Sequence, residues 1–282
     1  VSRGNPRESN SHGALDCQDM CGRVGVLDSG IGGISVLRAI HSRFPHLDLF
    51  YVADTGHAPY GCLQTGDIRQ RTRRITEFLF HQGADAVVLA CNTATATAIQ
   101  SLRRIFYRPL VGMEPAIKPA LSLTRTGRIG ILATEITLES FRFRELLLRW
   151  SGWAEILPQP CPDLVLEVEQ GNWDGAKIRS LLSSYIDPLL KQGTDVLVLG
   201  CTHYHFLRPL LGQIAGPETA VLDASYPVAR QLGRVLFQET TPPSRLGSCG
   251  TVRFWTSGDP EFFRKQLDYI WGPGAQIDKL PV

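Results

Sequence analysis

The chain has 282 residues, 43% hydrophobic and 20% charged, enough for a sizeable core and for two domains or lobes. Its net charge is +2, with basic and acidic residues interspersed, which argues for neither a nucleic-acid nor a membrane partner. No apolar run approaches the roughly 18 residues a transmembrane helix needs, and seven scattered cysteines fit a reducing compartment better than a disulfide framework.

Residues 1–22 are polar, lack the apolar centre of a signal peptide, and read as a flexible tail. Cys17 and Cys21 lie there without a second cysteine pair that would complete a zinc site. Arg23-Val-Gly-Val-Leu-Asp28 reads as a first strand, turning through Ser29-Gly30-Ile31-Gly32-Gly33 into a helix from Ile34 to about Arg43. Leu47 to Ala53 is a second strand, and Asp54 to Gly61 a loop containing Pro59-Tyr60-Gly61. A basic amphipathic helix spans roughly Thr65 to His81. Asp85-Ala-Val-Val-Leu-Ala-Cys91 then forms an unalternating apolar strand, as expected where helices cover both sheet faces. A helix from about Thr93 to Arg104 and a strand at Pro109-Leu-Val-Gly lead to Glu114-Pro115.

The pattern then restarts. Arg128-Ile-Gly-Ile-Leu-Ala133-Thr134 echoes the first strand 105 positions on, and Asp195-Val-Leu-Val-Leu-Gly-Cys201 echoes the Cys91 strand 110 positions on. Two echoes in the same order argue for duplicated α/β halves. Between them lie a helix around Thr137 to Trp150, a segment from Cys161-Pro162 through Leu164 to Gly171, and a helix near Ala176 to Lys191. A helix after Cys201, a strand at Ala220-Val-Leu-Asp223 and a helix from about Pro227 to Gln238 follow. Thr240 to Gly250 is a loop, Val252-Arg-Phe-Trp a late strand, and Pro260 to Ile270 a last helix.

A cysteine at the end of a buried strand is usually a small core residue. Here two stand at the carboxyl ends of matching strands, where open α/β sheets bind ligands. The helix after Cys91 starts at Asn92-Thr93, so free N–H groups lie beside the sulfur, a placement expected to lower its pKa and to hold a carboxylate. Cys17, Cys62, Cys161 and Cys249 lack this setting and read as structural or incidental. The Asp28–Gly33 turn is neither a dinucleotide loop nor a Walker A loop, and Asp28 is either a helix cap or an acid facing the Cys91 edge. Cys201, His203 and His205 offer too few ligands for zinc, and His203 is more simply a proton-transfer partner of the thiol. His205 reads as surface, and Glu169 alone as a routine exposed acid.

Asp28-Ser29-Gly-x-Gly-Gly, Pro59-Tyr60-Gly61, Ala90-Cys91-Asn92-Thr93 and Gly200-Cys201-Thr202-His203-Tyr204, in this order, resemble the glutamate racemases from about Arg23 to Gln238. Related aspartate racemases typically carry Cys-Thr-Glu in place of Cys201-Thr202-His203. The resemblance implies two pseudo-symmetric α/β domains with mainly parallel sheets and the active site in the cleft between them. Residues 23–115 and 226–282 would form the first domain and residues 116–225 the second. It implies a two-base racemase of L- and D-glutamate using no cofactor and no metal, supplying D-glutamate for peptidoglycan in the bacterial cytoplasm. Cys91 and Cys201 would work on opposite faces of the α-carbon, Asp28 assisting Cys91, and His203 and Glu169 assisting Cys201. Asp28, Ser29, Pro59, Tyr60, Gly61, Asn92, Thr93, Thr134, Thr137, Thr202 and His203 match positions that hold substrate or lie near it. A homodimer and regulation by a cell-wall precursor are family expectations. His205, Ile136 and Ala224 depart from the family pattern and put loop shape and helix entry in question. Competing readings are a non-catalytic amino-acid-binding protein, a racemase for another amino acid such as aspartate, and a zinc or thiol hydrolase using Cys201 and His203.

Overall fold

The computed structural model describes residues 22–237 and 250–282; residues 1–21 of the tail expected over 1–22, Cys249 and the end of the helix at Gln238 lie outside them, and Gly22 is buried, its carbonyl accepting from the Asp48 amide at 3.2 Å. In chain order the elements are β1 (Arg23–Asp28), α1 (Ile34–Arg43), β2 (Asp48–Ala53), α2 (Thr65–His81), β3 (Ala86–Leu89), α3 (Asn92–Ile105), β4 (Leu110–Gly112) and α4 (Ile117–Leu121). Then follow β5 (Arg128–Ala133), α5 (Glu135–Glu139), α6 (Phe141–Trp150), β6 (Glu155–Pro160), α7 (Leu164–Glu169), α8 (Ala176–Lys191), β7 (Val196–Leu199), α9 (Arg208–Ala215) and β8 (Ala220–Leu222). The chain closes with α10 (Ser225–Phe237), β9 (Val252–Thr256), α11 (Pro260–Ile270) and β10 (Ile277–Lys279).

These strands make two sheets, in the orders β10-β9-β2-β1-β3-β4 and β6-β5-β7-β8. Every pairing is parallel, so helices must cover both faces. That is why β3 and β7 are apolar and buried at all four positions. The unit β2-β1-β3-β4 recurs as β6-β5-β7-β8, and equivalent bonds join equivalent strand ends. The Ala90 amide donates to the Leu27 carbonyl at 2.8 Å, and the Gly200 amide to the Leu132 carbonyl at 2.7 Å. Cys91 and Cys201 therefore leave the central strands of their sheets at matching places. The last strands extend the first sheet, β9 pairing with β2, and α10 packs on α1, where the Ser225 hydroxyl donates to that of Ser35 at 3.3 Å.

The structure differs from the sequence expectation in four places. A strand, β6, precedes Cys161; its Pro158 and Pro160 hide it in the sequence, and it is tolerated because it pairs only with β5 at the sheet edge. The helix expected over Thr137 to Trp150 is two helices. Ser140 between them is extended (φ −63°, ψ 148°), and its hydroxyl accepts from the Phe143 amide at 3.1 Å while donating to the Thr137 carbonyl at 2.7 Å. A hydroxyl that satisfies both a helix end and the next helix start ends one run and nucleates another. The helix after Cys201 begins as a 3-10 turn over Thr202–Leu207. The short α4 and β10 carry too few residues to show a period in the sequence.

Replacing Ser140 by Ala removes the N-cap of α6 and is expected to cost about 1 kcal/mol. Urea denaturation of the variant checks this, with Ser140→Gly losing only a few tenths of a kcal/mol.

Candidate active site

The loop after β1 lies against the second sheet's loops, and its glycines explain how. None of Gly30, Gly32 or Gly33 has a positive φ, so the turn itself does not demand glycine. Space does. A Cβ at Gly30 would lie 1.8 Å from the Glu169 carboxylate, and one at Gly32 would lie 2.5 Å from Thr202 Oγ1 and 2.7 Å from His203 Nδ1. Side chains of the second half occupy the room that these two residues leave empty.

Cys91 is the N-cap of α3, its sulfur accepting from the Ala94 amide at 3.4 Å and lying 3.6 Å from the Ser29 hydroxyl. Cys201 lies 3.8 Å from His203 Nδ1, and His203 Nε2 bonds the Glu169 carboxylate. That carboxylate also accepts from the Ile31 amide at 3.1 Å. Glu169 is thus a half-buried partner held from both halves, not the exposed acid that the sequence in isolation suggests. Asp28 accepts from the Gly30 amide at 2.9 Å and from the Thr202 hydroxyl across the cleft at 3.1 Å. It bears on Cys91 through its charge, and the groups hydrogen-bonded to that sulfur are the Ala94 amide and the Ser29 hydroxyl.

Thr93, Thr134 and Thr137 meet across the halves, with hydroxyl separations of 3.0, 3.3 and 2.9 Å. The Tyr60-Gly61 turn faces them: a Cβ on Gly61 would lie 3.2 Å from Thr134 Cγ2. Tyr60 itself is buried, its hydroxyl donating to Asp54 at 2.6 Å. Asp54 is fully buried and takes two further bonds from Arg71, at 3.0 and 2.8 Å. This ion pair under the turn escaped the sequence reading, although Asp54 directly follows β2 much as Asp28 ends β1. Pro59 enters the same turn. Both side-chain atoms of Asn92 are buried without a hydrogen-bond partner, an arrangement that a polar ligand or water would relieve.

The remaining candidates lie elsewhere. Cys62 is exposed, and Cys161 is buried behind the site, where the Tyr204 hydroxyl bonds its carbonyl at 2.9 Å. His205 bonds Asp223 at 3.1 Å and is half-buried, so it is not plain surface. Among the described residues, no three His, Cys, Asp or Glu side chains are grouped to hold a metal ion.

Burial pushes the Cys91 thiol up to about 12, with the Asp28 charge adding to the effect. The Ala94 amide and the Ser29 hydroxyl pull the other way and are outweighed, so the lowering expected from the helix start does not prevail in this closed site. Burial likewise raises the Asp28 carboxyl, against the opposing charge of His203. For His203, burial disfavours the charged ring, but the bonds to Cys201 and Glu169 win and raise its pKa well above the usual value. Cys91 therefore keeps its proton at neutral pH, while the partners of His203 favour its charged ring.

The Asp/Glu/hydantoin racemase family model matches residues 32–225. A glutamate racemase from Pseudomonas aeruginosa is 50% identical over 260 residues, covering 92% of this chain and 97% of that one. The chain belongs to the glutamate racemase family. Solved structures agree: a glutamate racemase from Bacillus anthracis superposes with a TM-score of 0.85 at 27% identity, over 93% of this chain and 98% of that one. The Escherichia coli glutamate racemase, solved with L-glutamate and the activator UDP-MurNAc-Ala, superposes with a TM-score of 0.79 at 28% identity, over 92% and 98%. The two helix-flanked parallel sheets are thus the fold of the glutamate racemases.

The Cys91 shift sets a stability prediction. Below pH 9, the thiol's ordinary value, folded and unfolded chains both hold the proton and the contribution is complete. Between there and about 12 the unfolded thiol ionises and the folded one does not, so stability falls as pH rises. Urea denaturation from pH 8 to 11 should show a steeper fall for the parent protein than for Cys91→Ala; equal slopes would remove the assigned shift.

Proposed function

We propose that this protein interconverts L- and D-glutamate without a cofactor, using Cys91 and Cys201 as acid and base on opposite faces of the α-carbon. The observation that carries the reading is the pair of buried thiols at matching strand ends, close enough that the charge on Cys201 bears on Cys91. Residues 23–115 with 226–282 act as one domain and 116–225 as the other, with substrate enclosed between them.

An amino-acid α-proton is very weakly acidic, so the site must rely on proximity, fixed hydrogen bonds and exclusion of water. With L-glutamate bound, the Cys201 thiolate takes the α-proton. The imidazolium of His203, 3.8 Å from that sulfur, supplies a donor and a counter-charge before transfer, and Glu169 holds the ring in place. The electron pair left on the α-carbon spreads into the carboxylate, which the amides at Asn92-Thr93 and Thr202-His203 hold. The Cys91 thiol then gives its proton to the opposite face. D-glutamate leaves, Cys91 is the thiolate, and the roles exchange for the reverse direction. Two thiols do this with no movement of the substrate, whereas one base would have to change faces.

Ser29, with the Thr93, Thr134 and Thr137 hydroxyls, orients the α-amino and α-carboxylate groups. The Pro59-Tyr60-Gly61 turn, stiffened from below by Asp54 and Arg71, meets the side-chain carboxylate and so sets chain length. D-glutamate made in this way serves peptidoglycan synthesis in the cytoplasm.

Circular dichroism of L-glutamate incubated with the protein should decay to zero as the racemate forms. Cys91→Ala and Cys201→Ala should each abolish this decay from either enantiomer, because every turnover needs one base and one acid. Near-normal racemisation by either variant would sink the two-thiol assignment.

A further inference from the structure

Glu169 and His203 belong to the second sheet's half, yet Glu169 is held by the first. It ends α7, a helix of six residues, and its carbonyl is among the last four that no intrahelical donor can reach. That carbonyl is satisfied from across the cleft, by the Gln266 side-chain amide of α11 at 2.6 Å. The neighbouring Val168 carbonyl accepts from the Trp173 indole at 3.0 Å. Trp173 in turn stacks on Phe206 with centroids 5.3 Å apart and meets Tyr269 of α11 at 4.9 Å. The segment carrying these groups is entered through Asp163 at φ 69° and left through Gly171 at φ 83° and Gly175 at φ 113°. Positive-φ residues thus bracket α7, and the helix end is fixed by side chains around it.

Gln266 is only 8% exposed, and its own carbonyl oxygen is buried without a partner. A buried amide with one half unsatisfied costs free energy that an apolar residue of the same shape would avoid. The half that is satisfied bonds the backbone carbonyl of Glu169, the residue whose carboxylate bonds His203.

We infer that Gln266 is a positioning residue for proton transfer at Cys201: from α11 it fixes the end of α7, so that Glu169 is set on His203 when the halves are closed. The inference rests on the racemase reading above and deepens it. Cys91 has no such dependence, since its partners Ser29 and Ala94 both lie in the first half. Loosening Gln266 should therefore impair the transfer at Cys201 and leave that at Cys91 almost intact.

The test is Gln266→Met, which keeps length and loses the donor, assayed from both enantiomers with α-protiated and α-deuterated glutamate. Because the products are mirror images, kcat/KM must stay equal in the two directions. Asymmetry will show in kcat with compensating KM, and in the isotope effects. The expected result is a loss of kcat from L-glutamate on the order of tenfold to a hundredfold, as a misplacement of about 1 Å can cause. The loss from D-glutamate should be smaller, with the L-side isotope effect rising and the thermal midpoint unchanged. Gln266→Asn, which keeps the amide one carbon short, should show the same asymmetry at smaller size and serves if the Met variant folds poorly. Equal losses in both directions with unchanged isotope effects, or no loss, would mean that Gln266 only packs. If the parent protein racemises no glutamate, the underlying reading fails instead.

Discussion

The structure depends on one close contact: the Gly30–Gly33 loop of the first sheet receives Glu169, Thr202 and His203 of the second. A methyl group at Gly30 or Gly32 would overlap those side chains. Because the loop has no side chains there, the Ile31 amide can reach Glu169, and Asp28 can accept from Thr202. The bonds that hold the halves together are therefore the same bonds that orient Asp28 and Glu169 beside the two cysteines. Interiors pack tightly enough that such an interface is closed or open, with little in between.

Duplication sets the second constraint. The strands β2-β1-β3-β4 and β6-β5-β7-β8 bring two sulfurs to equivalent edges, but the surroundings of the sulfurs have diverged. The first strand ends on Asp28 in one half and on Ala133 in the other. After the second strand, Asp54 stands in one half and Cys161 in the other, each donating its amide to the end of the preceding central strand at 3.0 Å. The acid at Asp54 ties Arg71 to the Tyr60 hydroxyl under the turn; the thiol at Cys161 makes one local bond, to the Gln159 carbonyl at 3.4 Å. Symmetry in the backbone thus sets two sulfurs in like places with unlike neighbours, Ser29 and Asp28 near one, His203 and Glu169 near the other.

The sequence revealed what is local and periodic. Unalternating apolar runs marked the central strands, and the repeated pattern marked the duplication, because both are written in contiguous residues. It hid β6, whose prolines speak against a strand anywhere but a sheet edge, and the break at Ser140, where a single hydroxyl caps two helix ends inside an otherwise continuous helical pattern. The cysteines were legible from their position at strand ends. The direction of the Cys91 shift was not, since the helix start is local while the burial that outweighs it comes from residues far apart in the sequence. Gln266 and Asp54 carry no motif at all; their significance comes from contacts spanning 97 residues in one case and 17 in the other. The glycines were visible, but their reason was not: it is the room they leave for another segment, not the turn they make.

The central claim is that two different groups handle the two faces of the α-carbon, and solvent deuterium tests it most directly. L-glutamate is incubated with the protein in D₂O, and both enantiomers are recovered early, before the reverse reaction contributes. The account predicts that the first D-glutamate formed carries deuterium at the α-carbon, donated by an exchanged Cys91 thiol, while the recovered L-glutamate remains protiated. Deuterium entering both enantiomers at equal early rates, or D-glutamate that keeps the substrate's own proton, would mean that a single base serves both faces and would contradict it.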